Sequence, residues 1–141
     1  MWLVIVAVAA SLTACDKAED DESEYPSQSK LEPIKGIPGH HTVTLTPLGA
    51  KQVGIQTTPV AGSNKLKELP YDALLYGADG TTFIYTSPKA LTYRYAKITL
   101  EKIVGERIYF SEGPKVGTQV VTRGVPQVHG ADIELEFGEI A

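Results

Sequence analysis

The sequence predicts an all-β domain, a small barrel or sandwich with one short helical turn, preceded by an apolar leader and a polar linker. From about Gly36 onward, short runs rich in Val, Ile, Thr and Tyr alternate apolar with polar residues and stop at Gly or Pro. No segment shows helical periodicity over the roughly ten residues that a sizeable helix needs. The 141 residues suit one ordinary domain with a single core.

The leader, residues 1–14, is almost entirely apolar. It is shorter than the ~20 residues of a membrane-spanning helix and suits the apolar region of an export signal. A soluble core helix is the alternative, but this stretch lacks the polar face that such a helix exposes to solvent. We therefore expect a signal peptide. Because no Lys or Arg precedes the apolar run, a start upstream of Met1 stays open.

The leader ends in Leu12-Thr13-Ala14-Cys15, which contains the only cysteine of the chain. This stretch resembles the lipobox of bacterial lipoproteins, and the resemblance implies cleavage before Cys15 and lipid attached to that residue. Two or more acyl chains, at ~0.8 kcal/mol per buried CH₂, hold a protein firmly on a membrane. We expect an anchor on the extracytoplasmic face of the cell envelope. Asp16 resembles the residue that keeps lipoproteins in the inner membrane of some Gram-negative bacteria, so in such a cell the resemblance implies the inner membrane. A buried structural cysteine is the alternative.

Residues 15–37 predict a flexible acidic linker. Seven acidic residues stand against three basic ones between Asp16 and Lys35, so this segment carries the whole net charge of −4. Such a composition buries too little surface to offset the entropy of ordering, and like charges extend the chain. The rest of the chain has ten charges of each sign and no basic cluster. That balance excludes a nucleic-acid partner.

Residues 38–141 form the predicted β domain. His41–Leu45 alternates as a strand, Pro47–Val53 predicts one helical turn, and residues 55–60 return to strand. A turn at residues 61–64 leads into the next strand.

The second part of the domain contains a strong hairpin signal. Gly77-Ala78-Asp79-Gly80 lies between the strand-like runs 74–76 and 82–85. Further strands are expected at residues 65–69, 91–100, 107–110, 119–122 and 132–137.

Three stretches of the domain, one in its first part and two in its second part, carry a family resemblance. Residues 42–60 read T-V-T-L-T-P-L-G-A-K-Q-V-G-I-Q-T-T-P-V, residues 69–74 read L-P-Y-D-A-L, and residues 111–124 read S-E-G-P-K-V-G-T-Q-V-V-T-R-G. In this order they resemble the opening and closing parts of the membrane-proximal region of periplasmic adaptor (membrane fusion) proteins of efflux pumps. The likeness covers roughly residues 42–130, and its motifs occur in the order of the adaptor region.

One departure from the adaptor pattern changes what the resemblance implies. Full adaptors hold a lipoyl-like domain, a helical hairpin and a β-barrel between the two parts, whereas here only the five residues A-G-S-N-K separate Val60 from Leu66. Because five residues span this gap, the end of the first part and the start of the second must lie close together, as expected for neighbouring strands joined by a hairpin. The resemblance implies a lone membrane-proximal-like domain that binds a protein subunit of an efflux or transport system. A remnant completed by a second protein is left open.

Catalytic motifs are absent from the sequence, so we expect no enzyme and no cofactor. The alternative to a partner-binding role is a periplasmic carrier of a metal or small ligand, with His40, His41 and His129 as the candidate ligands. Adjacent residues of a strand point to opposite faces, so His40 and His41 should not reach one ion unless the strand begins after them.

Two alternating runs place side chains on defined strand faces. Tyr93-Arg94-Tyr95 puts both rings on one face and Arg94 on the other. Ordinary sheet packing is the main interpretation, and contact with a protein partner is the alternative, because Tyr and Arg are favoured in binding hot spots. Residues 132–137, D-I-E-L-E-F, predict a strand whose carboxylates, Asp132 among them, form a solvated face.

Overall fold

The computed structural model describes residues 29–138, with side chains as far as residue 133; the predicted leader, Cys15 and the first part of the predicted linker lie outside this range. The helices in this part of the chain are α1 (Pro47–Val53) and α2 (Val125–Gly138), and a 3₁₀ turn covers Tyr71–Ala73. The strands are β1 (Ser29–Pro33), β2 (His41–Leu45), β3 (Gln56–Pro59), β4 (Ala61–Gly62), β5 (Lys67–Pro70), β6 (Leu75–Tyr76), β7 (Thr82–Lys89), β8 (Thr92–Val104), β9 (Arg107–Glu112) and β10 (Gln119–Arg123).

The strands form a nearly closed, barrel-like antiparallel sheet, which confirms the prediction of a mostly β domain. The order across the sheet is β3-β10-β7-β8-β9-β5-β4, with β2 and then β1 added beside β8, and β6 beside β7. The long strand β8 joins the two sides of this sheet, since Thr92 pairs with β2 and Val104 pairs with β9. Register shifts on either side of Leu100 mark bulges, which bend a strand and help the sheet to curl.

The predicted strand, helical turn and strand at the start of the domain are confirmed as β2, α1 and β3. The Oγ1 atom of Thr46 accepts a hydrogen bond from the N–H of Gly49 at 3.0 Å, and Pro47 occupies the first turn. Helix α1 ends at Gly54, whose φ of 72° is the left-handed conformation that glycine adopts readily. Local capping residues therefore determine both ends of α1.

The two parts of the domain that carry the adaptor resemblance lie in one continuous sheet. The sequence predicts that the chain segments on either side of the short connection between Val60 and Leu66 lie close together. This is confirmed, because β4 pairs with β5 and Gly62 lies opposite Lys67. Strand β3, from the first part, pairs with β10, from the second part, with Thr57 opposite Val121.

The predicted hairpin and the remaining strands up to residue 123 are confirmed. Strands β6 and β7 pair with Tyr76 opposite Thr82, and Gly80 in the connecting turn has a φ of 83°. Strands β8, β9 and β10 correspond to the runs predicted at residues 91–100, 107–110 and 119–122.

Strand β7 is buried on both faces, and this determines where the candidate site lies. Ile84 points into one hydrophobic cluster inside the sheet, and Phe83 and Tyr85 point into a second cluster on the other face. Helix α2 covers that second face with Val125 and Val128. Burying each such apolar side chain contributes about 1.5–3 kcal/mol, so α2 is an integral part of the domain.

Two predictions need correction. Residues 132–137 belong to helix α2 and not to a strand, so the domain has a second, longer helix besides the predicted helical turn. The spacing of a helix face is present in the buried residues Val125, Val128 and Asp132. The pattern is hard to recognise in the sequence because Asp132 is charged. At the other end, β1 lies within the predicted linker and pairs with β2, so the folded part begins before residue 38.

Candidate functional site

A buried carboxylate lies where α2 meets the sheet. The side chain of Asp132 is 0% exposed, and both of its oxygens accept hydrogen bonds. The Oδ2 atom accepts from His40 Nδ1 at 2.7 Å and from the Tyr85 hydroxyl at 2.5 Å. The Oδ1 atom accepts from the backbone N–H of His41 at 2.5 Å. The Nδ1 atom of His41 lies 2.8 Å from the Asp132 carbonyl oxygen and 3.2 Å from Oδ1. These donors compensate the cost of burying the charge.

Three elements bring these groups together. Strand β7 supplies Tyr85, the first residue of β2 and the residue before it supply His41 and His40, and α2 supplies Asp132. The chain turns at Gly39, which has a φ of 78°, immediately before the two histidines. Because the donors belong to the sheet and the acceptor to the helix, these hydrogen bonds also tie α2 to the sheet.

The third histidine joins the same network through Tyr85. His129 lies on α2, and its Nδ1 is 3.0 Å from the Tyr85 hydroxyl oxygen. That hydroxyl has a single proton and donates it to Asp132, so it must accept the hydrogen bond from His129. His129 therefore carries a proton on Nδ1, and its Nε2 is a hydrogen-bond acceptor whenever the ring is neutral.

Burial keeps both Tyr85 and His129 uncharged at neutral pH. Desolvation lowers the pKa of His129 below its ordinary value of 6.5, although the Asp132 carboxylate partly offsets this effect. Desolvation also raises the pKa of Tyr85, and both the hydrogen bond to Asp132 and the negative charge of Asp132 act in the same direction. The neutral imidazole of His129 consequently leaves Nε2 without a proton.

Four aromatic rings pack in a row beside the carboxylate, and we call them the ring row: His40, Tyr95, Phe83 and His129. The His40 and Tyr95 rings are stacked, with centroids 3.8 Å apart and an interplanar angle of 18°. The Phe83 centroid is 4.8 Å from that of Tyr95 and 5.4 Å from that of His129. Such contacts contribute about 0.5–1.5 kcal/mol per pair and restrict the orientation of the imidazoles.

An open groove of about 530 Å³ borders the ring row. All four rings line the groove together with the apolar side chains of Ile37 and Ile133. Tyr76, Asp79 and Lys97 are exposed residues of the same lining. This volume falls within the ~300–1,000 Å³ typical of small-molecule sites, which combine apolar walls with a few polar groups.

The structure brings all three predicted histidines together, and it does so around a carboxylate. His40 and His41 both contact Asp132, although adjacent residues within a strand point to opposite faces. Strand β2 begins at His41, so His40 lies outside the regular alternation of the strand. Within the part of the chain that the structure describes, no group of three or more His, Cys, Asp or Glu side chains is arranged to hold a metal ion.

The predicted contact residues Tyr93, Arg94 and Tyr95 divide between the inside and the surface. Both rings lie on one face of β8, and that face points inward, with Tyr93 4% and Tyr95 9% exposed. Arg94 is exposed and remains accessible to a partner, while Tyr95 lines the groove. The predicted lipidation site, Cys15, lies outside the described residues.

Sequence reasoning missed two central residues of the site. Asp132 was assigned to a solvated row of carboxylates and is fully buried, which is a correction of that interpretation. The signal that could have revealed it is the helical spacing from Val125, with Pro126 in the first turn of the helix. Tyr85 has no such signal, since one tyrosine in an alternating run resembles any other.

Comparison of the chain with protein-family models, with curated proteins and with solved structures finds no match. Neither helix within residues 29–138 is long and apolar enough to cross a membrane. The assignment of a function therefore depends on the sequence and on the geometry described above.

Proposed function

We propose that this chain is a non-enzymatic lipoprotein of the cell envelope whose β domain binds a protein subunit of an efflux or transport system. The stretch Leu12-Thr13-Ala14-Cys15 supports an anchor through lipid on Cys15. Residues 16–28 connect that cysteine to β1 and, even fully extended, reach at most about 45 Å. The domain accordingly acts close to the membrane that holds its anchor.

The pairing of β3 with β10 is the observation that carries this proposal. Strand β3 belongs to the stretch that resembles the opening of an adaptor's membrane-proximal region, and β10 belongs to the stretch that resembles its end. Their residues face each other in register, with Pro59 opposite Gln119 and Thr57 opposite Val121. Two halves of one membrane-proximal-like domain need to share a sheet, so this pairing supports the resemblance independently of the order of the motifs.

An exposed apolar tip supports a protein contact. Ile103 and Val104, at the end of β8, are 42% and 56% exposed. Tyr71, which is 44% exposed, lies at the same end of the sheet, because its N–H donates to the carbonyl of Glu106 in the turn between β8 and β9 at 2.8 Å. Large apolar side chains exposed at one end of a sheet are candidates for an interaction site. The tip is at the opposite end of β8 from β2 and β1, where the linker enters, so it is well placed to meet a partner away from the anchor.

Lipid attachment can be tested by metabolic labelling with an alkyne-tagged palmitate. The wild-type chain should carry the label and sediment with membranes, whereas Cys15→Ser should lose both properties. An unlabelled wild-type chain with a free thiol at Cys15 would contradict the anchor.

Partner binding can be tested by photo-crosslinking in intact cells. A photoreactive residue in place of Val104 should give an adduct that mass spectrometry identifies as a transporter subunit. The same residue in place of Lys51, an exposed position on α1, is the matched control and should not give that adduct. If neither position yields a transporter subunit, the efflux or transport assignment fails.

A second candidate function is the binding of a small ligand, and the groove beside His40 and His129 favours it. The Nδ1 atoms of these histidines are engaged by Asp132 and Tyr85, so each ring keeps one nitrogen for another partner. Together with the aromatic surface, these nitrogens suit an organic molecule. Saturable binding of such a molecule to the full-length chain, monitored by the histidine resonances, tests this function.

A further inference from the structure

We propose that the groove binds a small, uncharged planar ring bearing a hydrogen-bond donor, of which phenol is the simplest case, with the donor on His129 Nε2 and the ring against the ring row. The inference rests on the second candidate function and specifies the chemical class of its ligand.

Counting the protons shared by Asp132, Tyr85 and His129 identifies the atom of the groove that accepts the hydrogen bond. The Tyr85 hydroxyl donates to Asp132 at 2.5 Å, and it can accept only from His129 Nδ1, at 3.0 Å. The bare Nε2 is the one polar atom of the His129 ring that this network leaves unused. A ligand that offers an O–H or N–H satisfies it, whereas a ligand with acceptors alone does not.

The surroundings of His129 favour a flat, apolar ligand body. Phe83 and Tyr95 hold fixed positions in the ring row, and Ile37 and Ile133 add apolar surface to the same groove. Aromatic ligands gain from offset or edge-to-face contact with such rings. The groove also needs no rearrangement to admit one, since its volume of about 530 Å³ is already open.

The charges around the groove favour a neutral ligand over an ion. Asp79 and Lys97 line it together, so their opposite charges largely cancel. The Oδ1 atom of Asp79 already accepts hydrogen bonds from Thr81, from Oγ1 at 2.7 Å and from the backbone N–H at 3.1 Å. The remaining carboxylate, Asp132, is 0% exposed and is out of reach of a ligand.

The test compares phenol with anisole, in which a methyl group replaces the donated proton. The full-length chain is labelled with ¹⁵N at its three histidines and titrated at neutral pH. Long-range ¹H–¹⁵N spectra should show His129 protonated on Nδ1. Phenol should shift the unprotonated Nε2 resonance in a saturable way, and anisole should bind about 3- to 10-fold more weakly and leave that resonance in place.

Two variants locate the interaction. His129→Phe keeps a ring but removes the acceptor, so phenol and anisole should bind it equally. Lys97→Ala changes another residue of the lining and should preserve the preference for phenol. If His129→Phe does not fold, the Nε2 resonance of the wild-type chain still decides the question.

The possible failures are distinguishable. If neither compound causes a saturable shift, the ligand site itself is wrong, while the partner-binding proposal stands. If the wild-type chain binds anisole as tightly as phenol, or prefers benzoate in a manner lost in Lys97→Ala, the groove binds ligands of another class and the inference is overturned.

Discussion

Replacing Asp132 by alanine tests whether the buried carboxylate holds α2 on the sheet. The carboxylate accepts hydrogen bonds from His40, from Tyr85 and from the backbone N–H of His41. Alanine removes both acceptor oxygens and leaves these donors facing a gap between helix and sheet. We expect the variant to fold with a markedly lower free energy of unfolding.

The size of the loss follows from how well each donor can find another partner. The side chains of His40 and His41 are 22% and 12% exposed, so water reaches them in part. The Tyr85 hydroxyl can turn toward His129 if that ring changes its tautomer. The backbone N–H of His41 has the least opportunity for replacement, and a buried unsatisfied donor costs about 1–3 kcal/mol. With the weakened histidine interactions added, the expected loss is about 3 kcal/mol.

Urea unfolding followed by far-UV circular dichroism measures this loss. With a denaturant slope of about 1.5 kcal/mol/M, a loss of about 3 kcal/mol lowers the midpoint by about 2 M. The matched control is Asp72→Ala, which removes an exposed carboxylate from the 3₁₀ turn and should change the free energy by less than about 0.5 kcal/mol. If Asp132→Ala is as stable as this control, the carboxylate does not hold the helix and the reasoning is refuted.

Three further predictions concern Tyr85 and His129, which belong to the same network, and two glycines. Tyr85→Phe removes the hydroxyl between Asp132 and His129 and should lower the free energy of unfolding by about 1–2 kcal/mol in the same urea assay. Because folding lowers the pKa of His129 below 6.5, the unfolded chain binds its proton more readily. The stability that depends on this residue is therefore complete above about pH 6.5 and declines as the pH falls toward the lowered pKa, so His129→Phe should lose less stability than the wild type on acidification. Gly62 has a φ of 85°, and an added Cβ would lie 2.5 Å from the Leu66 carbonyl oxygen, whereas Gly105, with a φ of 59°, has open space around it. Gly62→Ala should accordingly cost more than about 2 kcal/mol and Gly105→Ala about 1 kcal/mol, and equal urea midpoints would contradict this account.

The sequence predicted best those elements whose signals are local. Helix α1 is bounded by Thr46, which caps a residue three positions ahead, and by Gly54, which supplies a left-handed conformation. The hairpin between β6 and β7 likewise depends on four adjacent residues, 77–80, of which Gly80 adopts a positive φ. Because each signal acts within a few residues, the pattern alone was sufficient.

Helix α2 was missed because its buried face includes a charged residue. A carboxylate is compatible with that face only where donors meet it, and these come from Tyr85, 47 residues away, and from His40, 92 residues away. No local pattern reports partners so distant. The clean alternation of residues 132–137 therefore indicated a strand, and the tertiary contacts of Asp132 overrode that signal.

The candidate site was predicted only as a set of residues. The three histidines were identified as possible ligands because imidazoles bind metals, and the structure gathers them in one place. The chemistry of that place depends on Asp132 and Tyr85, whose roles follow from burial, and burial was not evident from the residue types alone.

One interaction connects the stability of the domain with the chemistry of its groove. Tyr85 can donate its proton to Asp132 only while α2 packs against β7, and only then must His129 hold its own proton on Nδ1. The acceptor that we assign to the groove therefore exists only in the docked arrangement of the helix. A ligand that uses this acceptor binds the folded state and not the unfolded chain, so by mass action it stabilises the same helix contact that creates its site. Loss of stability and loss of the preference for phenol in Asp132→Ala are then two consequences of removing a single carboxylate.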